Sequence, residues 1–215
     1  STGHKILAAT GRSDDNPVVV EGRVMTSGGS LPLDVTILLE SAALCMAHAA
    51  RNAFNRCVIL GNGQRRDLPV NLVPPGRIAT GFGPIIKLAG EIFSRVLSMS
   101  NPVSAQSLVV AAGLEDEAAF LPLVIERFDR QMRALKRLAA LEALLSAQAI
   151  DILGDEPKGV AAMLYEVVRK HADFYVVDRP LSAEVEAIEE ELGSDDFVSK
   201  LTEQVPIASF DDFFA

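Results

Sequence analysis

The chain has 215 residues, of which 49% are hydrophobic, 23% charged and only 6% aromatic, with no Trp. That apolar fraction excludes disorder over most of the length, and a core of Ala, Leu, Val and Ile rather than rings fits packed helices. Twenty basic against 29 acidic residues, a net charge of −9, exclude binding to nucleic acid or an anionic membrane unless a local basic patch exists.

Ser1-Thr2-Gly3-His4-Lys5 carries no signal-peptide pattern, and the expected location is cytoplasmic. The first thirty residues read as short-range structure: turns around Asp14-Asp15-Asn16-Pro17, an extended run Val18-Val19-Val20, then a glycine turn at Thr26-Ser27-Gly28-Gly29-Ser30. From Asp34 to Arg56, Leu38, Ala42, Cys45, Ala49 and Ala53 recur at helical spacing. Gly61 and Gly63 end that helix, and three prolines make Asp67 to Gly76 a loop. A second helix is expected over Ile78 to Met99, interrupted early by Gly81, Gly83 and Pro84, with Pro102 closing it.

The third helix, expected over Asp116 to Leu153, is the longest. Leu123, Phe128, Met132, Leu135, Leu138, Leu141 and Leu145 keep the helical period. At 1.5 Å per residue it spans roughly 50 Å, too long for a compact domain unless other long helices flank it. The densest basic run, Arg127 to Arg137, alternates with apolar residues within this helix and forms no patch. Val160 to His171 reads as a shorter helix, and Ser182 as the cap of Ala183 to Leu192. The fold class is therefore all-α, an elongated bundle or an oligomer core. Residues 1–193 are expected as one helical domain and 194–215 as an acidic tail containing Phe197, Phe210, Phe213 and Phe214. The mean hydropathy of +0.24 implies apolar surface reserved for subunit contacts.

The bare chemistry offers little. Cys45 and Cys57, with three scattered histidines, give neither a disulfide framework nor metal spacing, and both are expected as buried small hydrophobes in a reducing compartment. No Gly-x-Ser-x-Gly elbow, phosphate loop or dinucleotide fingerprint occurs. Glu115-Asp116-Glu117 reads either as carboxylates complementing the dipole of the long helix or as a carboxylate near a reacting centre.

The order of several segments is more specific. Asp15-Asn16-Pro17, Gly28-Gly29-Ser30, Gly81-Phe82, Asn101-Pro102-Val103-Ser104 and Gly113-Leu114-Glu115-Asp116 are followed by Glu142, Gln148 and Asp151, then by Asp178-Arg179-Pro180-Leu181. From about Asp14 to Leu192 this series resembles the C-terminal part of the aromatic amino acid ammonia-lyases, a family that includes histidine, phenylalanine and tyrosine ammonia-lyases and the related aminomutases. The resemblance implies a helical, tetrameric lyase core and an active site shared between subunits. It also implies an electrophilic 4-methylidene-imidazol-5-one (MIO) made from Ala-Ser-Gly, and a Tyr base.

This sequence contains no Ala-Ser-Gly; Thr26-Ser27-Gly28 matches the family's glycine turn instead. Tyr165 and Tyr175, its two tyrosines, match neither the base nor the family's Tyr-Ser-x-Arg segment. The resemblance thus implies a C-terminal subunit or fragment of a two-chain lyase or aminomutase acting on an amino acid. An N-terminal lyase-like partner carrying Ala-Ser-Gly would supply the MIO. Glu115 is carried over as the catalytic carboxylate, Ser30, Leu31 and Leu114 as the substrate pocket, and Asn16, Gly28 and Gly29 as a structural turn beside it. Departures accompany the match: Leu31-Pro32 stand where Phe-His is frequent, Leu114 replaces a Gln, Ile86 another Gln, and Arg95-Val96-Leu97 a Glu-Asn-Lys. These losses motivate the alternative of a catalytically degenerate scaffold or regulatory subunit.

Overall fold

The computed structural model describes residues 2–11, 16–26, 31–63, 65–106, 109, 111–113 and 117–205. In chain order the elements are α1 (Thr2–Thr10), β1 (Val18–Val20), β2 (Arg23–Met25), α2 (Leu33–Gly61), α3 (Gly83–Met99), α4 (Leu121–Leu153), α5 (Val160–His171), α6 (Ser182–Leu192) and α7 (Asp195–Gln204). β1 and β2 form one antiparallel hairpin, closed by Glu21 and Gly22 at φ 50° and 76°. Two consecutive positive φ values match the twist of the flanking strands. Apart from that hairpin the architecture is helical, as expected.

α4 is the spine. It packs along α2 and α3 and meets α5 and α6 over its later turns. Leu138, Leu141, Leu144 and Leu145 are at most 2% exposed, and they meet Ala47, Ala50, Ala53 and Cys57 of α2 in one core. Small side chains on α2 let these long helices approach closely, while leucines on α4 fill the space between them. α2 is the one described helix long and apolar enough to cross a membrane by length and composition, with a third of its most apolar window buried. Its inner face is spent on α3 and α4, as in a core helix of a bundle.

Several boundaries differ from the sequence reading. α1 replaces part of the expected turn region. α3 begins at Gly83 rather than Ile78, because Gly81 lies at φ 66° and Pro84 fits the first turn of a helix. α4 begins at Leu121 rather than Asp116: Phe120 precedes it at φ 48° and Pro122 occupies the first turn. Gly154, at φ 66°, closes α4 with Gly154 N–H donating to Asp151 and Asp155 N–H to Ile150, a Schellman ending. Ser182 is not a cap. Leu181 holds the cap position of α6 without a side-chain bond, and Ser182 is the first helical residue. Ser194 does cap, its Oγ accepting from Phe197 N–H (3.2 Å) at the start of α7, and Phe197 is buried in the core. Positions 206–215, with Phe210, Phe213 and Phe214, lie outside the described residues. Of the two free cysteines Cys57 is buried, but Cys45 is exposed, because the two sit on different sides of α2.

Candidate active site

One end of the bundle gathers the start of α2, the segment after α3 and the start of α4. Val35, Leu39 and Val124 form a small buried cluster there, joined by Ala9, Val103, Leu121 and Phe128. A polar clamp lies beside it. Glu40 Oε1 accepts from the N–H groups of Val103 (2.6 Å) and Ser104 (3.0 Å), and Oε2 accepts from the Ser104 hydroxyl (2.6 Å). Partial burial pushes the Glu40 carboxyl up. The Ser104 hydroxyl, the two N–H donors and the Arg127 charge outweigh that and hold it below the usual carboxylate range. Arg127, from α4, donates through Nη2 to the carbonyls of Ser98 (3.2 Å), Met99 (3.3 Å) and Asn101 (3.1 Å), closing the exposed end of α3. Just below, fully buried Gln131 donates to the carbonyls of Ala43 (2.9 Å) and Val96 (3.0 Å) and so links α2, α3 and α4.

This end carries the flanks of two expected site segments. Leu31 stands two residues before α2 and is 45% exposed, with its carbonyl accepting from Leu33 N–H (2.8 Å). Residues 117–120 lead from the Leu114–Asp116 triplet into α4. Glu115, Leu114, Ser30, Gly28 and Gly29 lie outside the described residues. Asn16 precedes β1 and joins Pro17 through a cis bond, at the start of the described stretch that carries the hairpin strands. Glu117 is exposed and four residues short of α4, whose first turn holds no acid. A helix-dipole role is thereby lost for Glu117, because that interaction fades beyond the first turn.

The later motif residues serve the other end. Gln148, 1% exposed, pairs with the backbone of Tyr175 as a strand would: Nε2 donates to the Tyr175 carbonyl (2.9 Å) and Oε1 accepts from its N–H (3.0 Å). Asp151 accepts from Tyr165 Oη and pairs with Arg169, both at 2.5 Å, while Glu142 forms a two-pronged pair with Arg56. Asp178 accepts from Thr80 N–H (2.8 Å), Gly81 N–H (3.1 Å) and Tyr175 Oη (2.9 Å). The Thr80 amide, followed by the other donors, pulls its carboxyl to about 2. The Asp151 hydrogen bond raises the Tyr165 phenol, and burial raises that of Tyr175. A raised phenol is the reverse of what a base at neutral pH needs. Burial, with the Glu142 charge, pushes the Cys57 thiol to about 12, which leaves it inert. Among the described residues no cluster of His, Cys, Asp or Glu could hold a metal ion.

Glu40, Arg127 and Gln131 were not legible from the sequence as a polar group at this end of the bundle. Their partners are mostly backbone groups tens of residues away, and the one available signal is a polar residue on a helix face that otherwise turns inward. Two of the departures noted above are packing positions: Val96 is fully buried, and Ile86 packs against Gly61 at the end of α2 remote from Leu31.

The profile of the aromatic amino acid lyases matches residues 4–170, more than three-quarters of the chain. The chain belongs to the aromatic amino acid lyase family. It is 25% identical over 185 residues to a histidine ammonia-lyase of Photorhabdus laumondii, covering 85% of this chain and 36% of that protein. Against the histidine ammonia-lyase of Shewanella woodyi it is 25% identical over 199 residues, with 91% and 39% covered. The fold superposes on histidine ammonia-lyase from Trypanosoma cruzi with a TM-score of 0.83 at 21% identity, covering 96% of this chain and 43% of that one. Tyrosine aminomutase from Streptomyces globisporus gives 0.83 at 22% identity, with 96% and 40% covered. This aromatic lyase family chain therefore spans about two-fifths of the length of the relatives it matches.

Proposed function

We propose that these 215 residues form the C-terminal-type part of a cytoplasmic, MIO-dependent aromatic amino acid ammonia-lyase or aminomutase. In this reading Glu115 acts at the substrate, Ser30, Leu31 and Leu114 line its side-chain pocket, and an N-terminal lyase-like chain completes the site within an oligomeric core. The observation that carries the reading is a family match over residues 4–170, joined to the fold shared with complete lyases and aminomutases.

The residues present do not fit formation of the MIO itself. That group is built from Ala-Ser-Gly, and the tripeptide is absent from these 215 residues. Its chemistry, capture of the substrate amine by an electrophile, belongs to polypeptide outside them. What this chain contributes is shape and charge: the helical spine, the segment bearing Glu115, and an apolar Leu31 where a polar or aromatic group is frequent.

Co-expression with an N-terminal lyase-like chain carrying Ala-Ser-Gly is expected to give a stable heteromer. It should show near-ultraviolet MIO absorbance and ammonia release, or amine migration, from an aromatic amino acid. Failure of the two chains to associate would overturn the reading. The scaffold alternative draws on Leu31-Pro32 and Leu114, where a Phe-His pair and a Gln are lost. Glu115→Gln separates the two: a loss of turnover of a hundredfold or so supports catalysis, and unchanged turnover supports a scaffold.

A further inference from the structure

We propose that the groove between α3 and α4 is a docking surface for an acidic amphipathic helix of a partner chain. The groove shares no residue with the candidate site described above.

The groove measures about 740 Å3 and is open to solvent, with no described element across it. Leu88, Ile92 and Met99 enter it from α3 and Ala134 from α4, which gives it an apolar floor. Arg95 of α3 stands on one side, and Arg130, Arg133 and Arg137 of α4 on the other. Four guanidinium groups thus meet only two carboxylates, Glu91 and Glu189, in a chain whose acids outnumber its bases by 29 to 20. The basic run of α4 forms no patch along the sequence; packing against α3 makes one by adding Arg95. Positions 88, 92, 95 and 99 on α3 and 130, 133, 134 and 137 on α4 repeat at three- and four-residue intervals, so each set occupies one helix face. From Leu88 to Met99 the groove runs roughly 16 Å, about three turns of helix.

Shape and charge together choose the occupant. A helix laid in a groove sets its i, i+3, i+4 and i+7 side chains on the floor and its flanking positions over the two sides. Here the floor calls for apolar residues and the sides call for Asp or Glu. The arginines are available to them. Arg95, Arg130 and Arg133 each pair with an acid four residues earlier, at 2.5, 2.6 and 2.5 Å, with both partners more than half exposed, and exposed pairs of this kind are weak. Arg137 is held more loosely still, 3.7 Å from both Glu186 and Glu189. Carboxylates flanking a docked apolar stripe would form charge-assisted bonds there, sheltered from water by the helix that carries them. The acids beside each arginine repel a continuous phosphate backbone, which argues against nucleic acid. A second copy of this chain also fits poorly on its described residues: the acid-rich α6 and α7 already bury Val185, Ile188 and Phe197 in their own core.

The test measures fluorescence anisotropy of a dye-labelled synthetic helix of about four turns, with Leu at i, i+3, i+4 and i+7 and Glu elsewhere, against the full 215-residue chain. Two control peptides carry Lys in place of Glu, or Gln in place of Leu. The acidic peptide is expected to bind about tenfold or more tightly than either control, and to weaken as salt rises from about 50 to about 300 mM. Arg95→Glu with Arg133→Glu should lower its affinity about tenfold or more and shift the preference to the Lys peptide. Arg51→Glu, at an exposed position on α2, should leave it unaltered. Circular dichroism checks that each variant keeps its helices. Should the charge-reversed chain fail to fold, Arg95→Gln with Arg133→Gln gives the deciding comparison, with weaker binding expected. Equal binding of the acidic and Lys peptides, binding of neither, or undiminished binding to the arginine variants overturns the proposal. So does tighter binding of a single-stranded oligonucleotide than of the acidic peptide. Self-association in sedimentation that disappears in the arginine variants makes a second copy the occupant and overturns the partner assignment.

Discussion

Asp178 and Gln148 show how single side chains turn the motif order into structure. The Asp178 carboxyl falls to about 2 because two backbone amides and the Tyr175 hydroxyl favour its charged form. A carboxyl depressed in the folded state contributes stability that is present above its unfolded value of about 4 and is lost as pH falls through about 2. Asp178→Asn should therefore lower the melting temperature at pH 7, and the difference from wild type should shrink as acid is added over that interval. Thermal melts at stepped pH check this; a difference independent of pH would contradict the assignment. Gln148→Ala removes both partners of the buried Tyr175 backbone. It should cost about 2 to 4 kcal/mol in urea denaturation, since an unpaired buried amide retains its desolvation penalty. Such roles were legible only as motif membership. The sequence placed Gln148 and Asp178 in a recognisable order but did not say what they hold, because their partners lie 27 residues away or more apart from Tyr175 beside Asp178.

The helices themselves were largely legible, and the misjudged boundaries have local causes. α5 matches its expected span, and α2 runs only one turn further than the Ala and Leu periodicity suggested. The starts of α3 and α4 were set too early, because apolar periodicity continues through residues whose backbone is not helical, Gly81 and Phe120 among them. Gly81 also gives its motif a physical reason. At φ 66°, a Cβ there would lie 2.4 Å from the Asn71 carbonyl oxygen and 2.7 Å from Val73 Cγ2. Gly81→Ala should cost about 2 to 4 kcal/mol through backbone strain and the clash together, read as a lower denaturation midpoint. On α4, Leu141 is fully buried between helices. Leu141→Ala should cost about 2 to 5 kcal/mol by leaving a cavity, whereas the same change at exposed Leu123 should cost far less.

At the scale of the whole molecule, apolar surface remains open. Ile37 and Leu44 on α2, Leu97 on α3, Ile125 on α4 and four hairpin side chains, Val19, Val20, Val24 and Met25, are each at least 45% exposed. Native mass spectrometry of the co-expressed assembly should detect a complex whose mass is not a whole multiple of this chain's and requires a second chain, and loss of the partner should leave this chain prone to aggregate. The sequence by itself determined the helical class, the positions of most helices and the family, because periodicity and the order of short motifs are local properties of a chain. Which polar residues act together was decided only by the tertiary structure. Glu40 meets Ser104, Arg127 meets the end of α3, and Gln131 spans two other helices, because side chains far apart in sequence become neighbours once long helices pack side by side. A hydrogen bond depends on distance and angle in space, and neither is encoded in spacing along the chain.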